Sequence, residues 1–289
     1  MTGILLVDKP EGMSSAGAIR VLKGRLGGAK VGHLGTLDPF ASGLLPLCVG
    51  EATKVARYLL LERKAYTGTI RLGVETDTLD RTGQVTATAA VPPLSPAEVA
   101  AAAARFVGRQ RQVPPMFSAL KRAGVPLYKL ARRGIAVERA AREIEIGRFE
   151  LTLRDAERLE FAVECSKGTY VRVLAADLGR ALGTVGHLER LRRTRVGGFD
   201  VDAAHTPDAL AEMSVLPQIP VREALTALRV FTLDTEALVQ LRRGQQAPLR
   251  RLAAPTPGEA ALVVDERGTA AALVEAGPDG WRVARMLVG

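Results

Sequence analysis

The segment from Val31 to Pro46 restricts the possible folds more than any other, because Gly32, Gly35, Gly43, Pro39 and Pro46 punctuate it around a single carboxylate, Asp38. Glycine and proline at that density do not sustain a helix and interrupt any strand, so the spacing predicts one long ordered loop entering the apolar run Leu44 to Val49. Asp38 is the only acidic residue between Glu11 and Glu51. Pro39 biases it toward extended backbone angles, which gives the carboxylate a defined direction. Leu37, Phe40, Leu44 and Leu45 supply apolar surroundings, where a carboxylate requires a cation or a hydrogen-bond donor. An Asx turn before a proline accounts for an isolated Leu-Asp-Pro equally well, and on these residues alone both readings stand.

A chain of 289 residues is long enough for one large domain and a small one. No apolar run approaches the length of a membrane span, and the start Met1 to Asp8 lacks the basic region of a signal peptide and reads as a strand. Cys48 and Cys165 lie far apart in strand-like settings, as expected of reduced buried thiols in a cytoplasmic protein. The scattered His33, His187 and His205 write no zinc motif, so no metal is expected.

A net charge of +9 implies an acidic partner, and its placement is informative. Between Arg105 and Arg142 ten cations face one acid, Glu138, and a second cluster, Arg190, Arg192, Arg193 and Arg195, follows His187. Charge concentrated in this way fits a phosphate-binding face. The sparse aromatics Phe117 and Tyr128 interleave with the first cluster and are as readily core residues as base contacts.

Pattern and capping signals place a strand over Ile4–Val7, a helix from Ser14 or Ser15 to about Arg25, and a helix over Glu51–Leu61. Strands follow over Tyr66–Gly73 and Gln84–Thr88, with turns from Thr76 to Gly83. Ser95-Pro96-Ala97-Glu98 forms a capping box that launches a helix to Val107. The proline-interrupted basic stretch Val113–Glu138 holds a short helix over Leu127–Arg133, and strands cover Ile144–Leu153 and Leu159–Cys165. Val171, Leu174, Ala175, Leu178 and Leu182 recur at helical spacing, with Arg172 about 100° off that stripe, facing solvent or a cleft. Composition shifts near residue 225. Beyond it come a helix over Thr235–Arg243 and strands over Ala261–Asp265, Ala270–Val274 and Trp281–Leu287.

The loop Gly32-His33-Leu34-Gly35-Thr36-Leu37-Asp38-Pro39-Phe40-Ala41-Ser42-Gly43-Leu44-Leu45-Pro46 resembles the signature of the bacterial tRNA pseudouridine-55 synthases. The resemblance extends through Leu5-Leu6-Val7-Asp8-Lys9-Pro10, Lys64-Ala65-Tyr66, Gly73-Val74-Glu75-Thr76-Asp77-Thr78, Pro114-Pro115-Met116-Phe117-Ser118-Ala119-Leu120-Lys121, Leu127-Tyr128-Lys129-Leu130-Ala131-Arg132 and Gly168-Thr169-Tyr170-Val171-Arg172. It implies an α/β fold with a mixed α+β sheet: a pseudouridine synthase catalytic domain over residues 1–225, a basic RNA-gripping insertion over about 113–140, and a small PUA-like β-barrel over 229–289.

It further implies that Asp38 is the nucleophile, that Tyr66 stacks on the target base and assists proton removal at C5, and that Arg172 pairs with Asp38 and keeps it ionised. Tyr170 and Leu191 match residues lining the uridine pocket, Lys9 a residue of a motif packed behind it, and His33 a residue that fills the T-loop when the target leaves. The expected RNA-backbone contacts are Lys121, Arg122, Lys129, Arg132, Arg133, Arg190, Arg192 and Arg193. The reaction implied needs no cofactor, and the implied partner is the T-stem-loop of tRNA, bound by a monomer. Leu34 departs from the small or hydroxylated residue more usual in the family, which bears on loop packing against RNA.

Three other classes bear comparison. A nucleotide-binding enzyme fails because neither phosphate-loop pattern is present at the glycines between Gly24 and Gly35. A non-catalytic RNA-folding protein explains the charge but does not require Asp38, Tyr66 and Arg172 together. A related synthase acting on another RNA differs only in substrate.

Overall fold

A computed structural model of the chain describes residues 1–60 and 63–287. Among them, a mixed ten-stranded sheet spans most of the molecule. Its main order is Gln218–Ile219, Gly3–Lys9, Ser42–Val49, Gly186–Val196, Lys64–Leu72, Arg158–Cys165, Arg142–Asp155 and Gly108–Gln112. Val31–His33 adds to Ser42–Val49, and Phe199–Asp200 to Gly186–Val196. Gly186–Val196 runs parallel to Ser42–Val49 and antiparallel to Lys64–Leu72, so it joins the two halves of the sheet.

This central strand is missing from the sequence reading because Arg190, Arg192, Arg193 and Arg195 mask its apolar positions Leu188, Leu191 and Val196. Register shifts between Leu188 and Arg190 and between Arg193 and Arg195 break strict alternation further. At two points its neighbours come so close that only glycine fits. A Cβ on Gly43, whose φ is +102°, would stand 2.2 Å from the Arg193 carbonyl oxygen, and one on Gly68 would stand 2.1 Å from that of Arg190.

The expected loop is shorter than Val31–Pro46, since strands take both ends and leave residues 34–41. Pro46 is accommodated inside a strand where the ladder with Val31–His33 ends, its carbonyl accepting from Leu34 N at 2.9 Å.

Ser14 caps the first helix through Gly17 N at 3.0 Å, and that helix, Ser15–Leu22, stops short of Arg25 where the glycines begin. Glu51–Leu61 is a 3₁₀ turn, Gly50–Lys54, followed by the short helix Ala56–Leu59; Leu61 lies outside the described residues. Thr53 bonds the Gly50 carbonyl and Lys54 reaches the Met286 carbonyl, which ties the turn to the C-terminal sheet. The capping box at Ser95 and Glu98 is present, on a helix Pro96–Ala104. In the basic insertion a two-residue hairpin pairing, Lys121–Arg122 with Val125–Pro126, precedes the helix Leu127–Ala131.

Apolar side chains sort to the two faces of the sheet. Val171, Leu174, Leu178, Val99 and Ala102 cover one face with Ile70, Phe149, Phe161 and Leu188. The other face meets the C-terminal sheet, Arg229–Thr232, Ala260–Val264, Ala270–Gly277 and Gly280–Met286. The period of two is visible in one strand: Leu262 and Val264 join the core of Ile4, Leu44 and Cys48, while Ala261 and Val263 pack with Leu238, Leu241 and Trp281. The parallel strand Arg229–Thr232 was not legible in the sequence. No helix among the described residues is long and apolar enough to cross a membrane.

Candidate active site

The backbone on both sides of Asp38 is clamped. The Ser15 hydroxyl accepts from Leu37 N at 2.9 Å and donates to the Leu37 carbonyl at 3.0 Å. Gly12 N donates to the Pro39 carbonyl at 2.8 Å, and Lys9 Nζ reaches the same oxygen at 3.5 Å. The Asp38 side chain itself keeps 37% of its surface, enough for a substrate to reach it. It opens into a cavity of about 260 Å³ whose walls include Tyr66, Tyr170, Arg172 and Leu191. Asp38, Tyr66 and Arg172, distant in sequence, are thus brought to one cavity.

Arg172 points into this cleft with only 6% of its side chain exposed. It is the second residue of the helix Val171–Ala181, whose start is capped by Gln112: Tyr170 N donates to Gln112 Oε1 at 2.8 Å, and Gln112 Nε2 donates to the Tyr170 carbonyl at 3.2 Å. The guanidinium pairs with Asp38 at 3.0 Å and Asp80 at 3.4 Å, and donates to the carbonyls of Thr78 at 2.9 Å and Phe117 at 2.7 Å. Four anchors fix it.

Asp80 and Ser15 are the parts of this site missed from sequence. Asp80 looked like part of a turn; it is buried, and it accepts from Thr82 N at 2.9 Å and Thr78 Oγ1 at 2.8 Å. A usable signal was two Asp and three Thr packed into Thr76 to Thr82, more polar groups than one turn needs. Ser15 looked like a helix cap, a task Ser14 performs.

Burial pushes the Asp38 carboxyl above its ordinary range; Arg172 and Lys9 oppose this, and the Asp80 charge reinforces it. Arg172 supplies the expected counter-charge, but burial outweighs it. Burial likewise raises the Tyr66 phenol, with Arg193 opposing, and raises Tyr170, with the Ser118 hydroxyl opposing.

Lys9 is fully buried and does not line the cavity. Its ammonium donates to the Met13 carbonyl at 2.7 Å and the Pro10 carbonyl at 2.8 Å, so it holds the loop from behind instead of contacting substrate. Burial lowers its pKa from 10.5 to about 8. His33 sits half-buried on its short strand, its pKa lowered by burial and by Arg193.

Of the expected RNA-backbone residues, Lys121, Arg122, Lys129, Arg132, Arg133 and Arg190 are exposed. Arg192 is half-buried in a two-pronged pair with Asp8 at 3.0 and 2.8 Å. Arg193 is a correction: it is 1% exposed, directed inward from the central strand, and out of reach of a phosphate backbone outside. Adjacent arginines on a strand face opposite ways, and a charge cluster in sequence conceals that. No group of three metal-ligating side chains occurs among the described residues.

Known proteins match most of the chain. The N-terminal domain of TruB family pseudouridylate synthases matches residues 23–171, and the tRNA pseudouridylate synthase B C-terminal domain matches residues 172–240. The tRNA pseudouridine synthase B of Aromatoleum aromaticum is 49% identical over 261 residues, 90% of this chain and 84% of that protein. That of Chromohalobacter salexigens is 45% identical over 251 residues, 86% of this chain and 82% of the relative. A chain from the crystal structure of a Cbf5-Nop10-Gar1 complex shares the fold with a TM-score of 0.74 at 23% identity, covering 99% of this chain and 85% of that one. With near-half identity running through nine-tenths of its length, and the family's N- and C-terminal domains together spanning the loop, the tyrosine and the cavity, the chain belongs to the TruB family of pseudouridylate synthases.

Proposed function

We propose that this protein isomerises the T-loop uridine of tRNA, position 55, to pseudouridine. The observation that carries the proposal is the ion pair of Asp38 and Arg172 at the wall of a cavity that also holds Tyr66. Isomerisation breaks the bond from the base N1 to C1′, turns the base and joins C5 to C1′, with no change of redox state. Asp38 supplies the anion or nucleophile at the sugar or base, and a carboxylate is competent for that role. Arg172 directs it. A uridine is reached only after leaving its stack, at a cost of a few kcal/mol that a loop lowers. Tyr66, Tyr170 and Leu191 then enclose the flipped base and keep it from water.

The exposed cations Lys121, Arg122, Lys129, Arg132, Arg133 and Arg190 grip the T-stem-loop, with residues 1–225 as the catalytic unit and 113–140 as its gripping insertion. The C-terminal segment 229–289 adds a PUA-like RNA contact. The protein works as a monomer in the cytoplasm.

The test is incubation of unmodified tRNA with wild type and with Asp38→Asn, followed by site-resolved pseudouridine mapping. Conversion at the T-loop uridine by wild type alone is the expected result, with tRNA affinity of the variant within about tenfold, roughly 1.4 kcal/mol. Binding without conversion at any uridine would favour a tRNA-folding role instead, and conversion elsewhere would reassign the substrate.

A further inference from the structure

Arg193 is the largest charged side chain inside the main core, and the nucleophile, its partner arginine and the RNA-facing cations leave it without a task. It stands directly across from Tyr66 in the pairing of Gly186–Val196 with Lys64–Leu72. Its Nε donates to the Leu44 carbonyl at 2.7 Å and its Nη2 to the Gly35 carbonyl at 3.0 Å. Those two carbonyls flank the loop that carries Asp38, one on each side. The same guanidinium lies beside the Tyr66 phenol, and both side chains line the cavity.

A guanidinium that is 1% exposed is costly to bury, and here the oxygens it bonds are neutral. Such an arrangement is sustained where a negative charge appears next to it during turnover. The reaction needs one at the phenol, because the Tyr66 oxygen must give up its proton to solvent before it can take the one on C5. Once C5 has bonded to C1′, C5 still carries its hydrogen. The C5–H electron pair closes the C5=C6 double bond, the C6=N1 pair moves onto N1, and N1 takes up a proton from water. The C5 proton passes to the deprotonated Tyr66 oxygen, which later loses it to solvent, so the net change is one hydrogen moved from C5 to N1.

We propose that Arg193 is a positioning residue for this step: it braces the Tyr66 oxygen against the Asp38 loop and stabilises the negative charge on that oxygen. The inference rests on Tyr66 as the C5 base. Charged and titratable groups facing the phenol are Arg193 on the central strand, Asp38 on the loop and Cys165 on Arg158–Cys165, with Lys64 on the shared cavity wall. Of these, Arg193 favours the ionised phenol, whereas Asp38 and Cys165 oppose it.

The experiment is single-turnover conversion of tRNA carrying protiated or 5-deuterated uridine across a pH series. It uses wild type, Arg193→Gln, Arg193→Lys, Tyr66→Phe and the double variants. Arg193→Gln is expected to slow conversion about a hundredfold with tRNA affinity unchanged, to enlarge the C5 deuterium isotope effect, and to move the ascending limb of the pH profile upward. Arg193→Lys recovers about tenfold of that loss, because it keeps the charge but not the fork. In a Tyr66→Phe background the Arg193 substitutions add nothing.

An unchanged isotope effect and pH profile in folded Arg193→Gln, or in Arg193→Lys should the former not fold, overturns the proposal. So does a full additional loss in the Tyr66→Phe background, which leaves Tyr66 as the base while removing Arg193 from its support. Wild-type conversion by Tyr66→Phe removes Tyr66 itself, a distinct failure.

Discussion

Arg172 Nε stands 3.0 Å from Oδ2 of Asp38. The same side chain is held from behind by Asp80 and two backbone carbonyls, so the carboxylate proposed as nucleophile is directed by a cation that cannot turn away. Arg172→Lys retains the charge but cannot span those four partners. Its expected effect is a fall in turnover of about a hundredfold, near 3 kcal/mol, as a buried ion pair loses its geometry. Rate and tRNA affinity measured together check this, since affinity should stay within about tenfold. A variant that turns over normally but binds poorly would contradict the assignment.

Asp80 acts on Asp38 through charge. The role proposed for Asp38 needs its ionised form, and its carboxyl is already raised by burial and raised further by Asp80. Removing the Asp80 charge in Asp80→Asn therefore lowers the Asp38 pKa and moves the acid limb of the pH–rate profile to lower pH. The side chain also helps hold Arg172, and loosening Arg172 would act in the opposite direction; the Thr78 and Phe117 carbonyls keep that effect small. An acid limb displaced upward would show that anchoring outweighs charge.

Local features were legible in the sequence where one residue type does one thing. The Ser95 capping box and the glycine-bounded loop around Asp38 are determined by their own neighbours. The family resemblance brought Asp38, Tyr66 and Arg172 to one site, which no periodicity could have done. The central strand Gly186–Val196 was hidden because its arginines do opposite work on its two faces: Arg192 pairs with Asp8, and Arg193 enters the core. Asp80 and Ser15 were invisible for a related reason. Their partners, Arg172 and Leu37, are distant in sequence, and a turn or cap explained each of them locally.

Lys9 gives a stability prediction with a definite sign. Its pKa is near 8 in the folded protein against 10.5 when unperturbed. Between those values the unfolded chain holds a proton that the folded one has released, so stability rises with pH. Below about pH 8 both forms are protonated and the folded protein carries the full cost of a buried ammonium. Relative to Lys9→Met, wild type should gain on the order of 3 kcal/mol as pH rises through this window. Denaturant unfolding of both proteins at a series of pH values measures it. A difference that stays constant with pH would mean that Lys9 keeps its proton throughout.

Arg132 and Arg133 separate gripping from chemistry. Both are exposed at the end of the helix Leu127–Ala131, and Arg132 lies 5.6 Å from the Tyr128 ring centre, which leaves its fork open to solvent. Each phosphate neutralised releases counterions, so two lost contacts should lower the slope of log affinity against log salt by about 1.5. Replacing both with alanine is expected to weaken tRNA binding and flatten its salt dependence by that amount, while conversion at saturating tRNA stays near the wild-type rate. Arg193→Gln provides the contrast, because a side chain 1% exposed and turned toward the cavity contacts no phosphate of the stem and its loss should leave the salt slope unchanged. Equal slopes for wild type and the double alanine variant would remove the insertion from the RNA face.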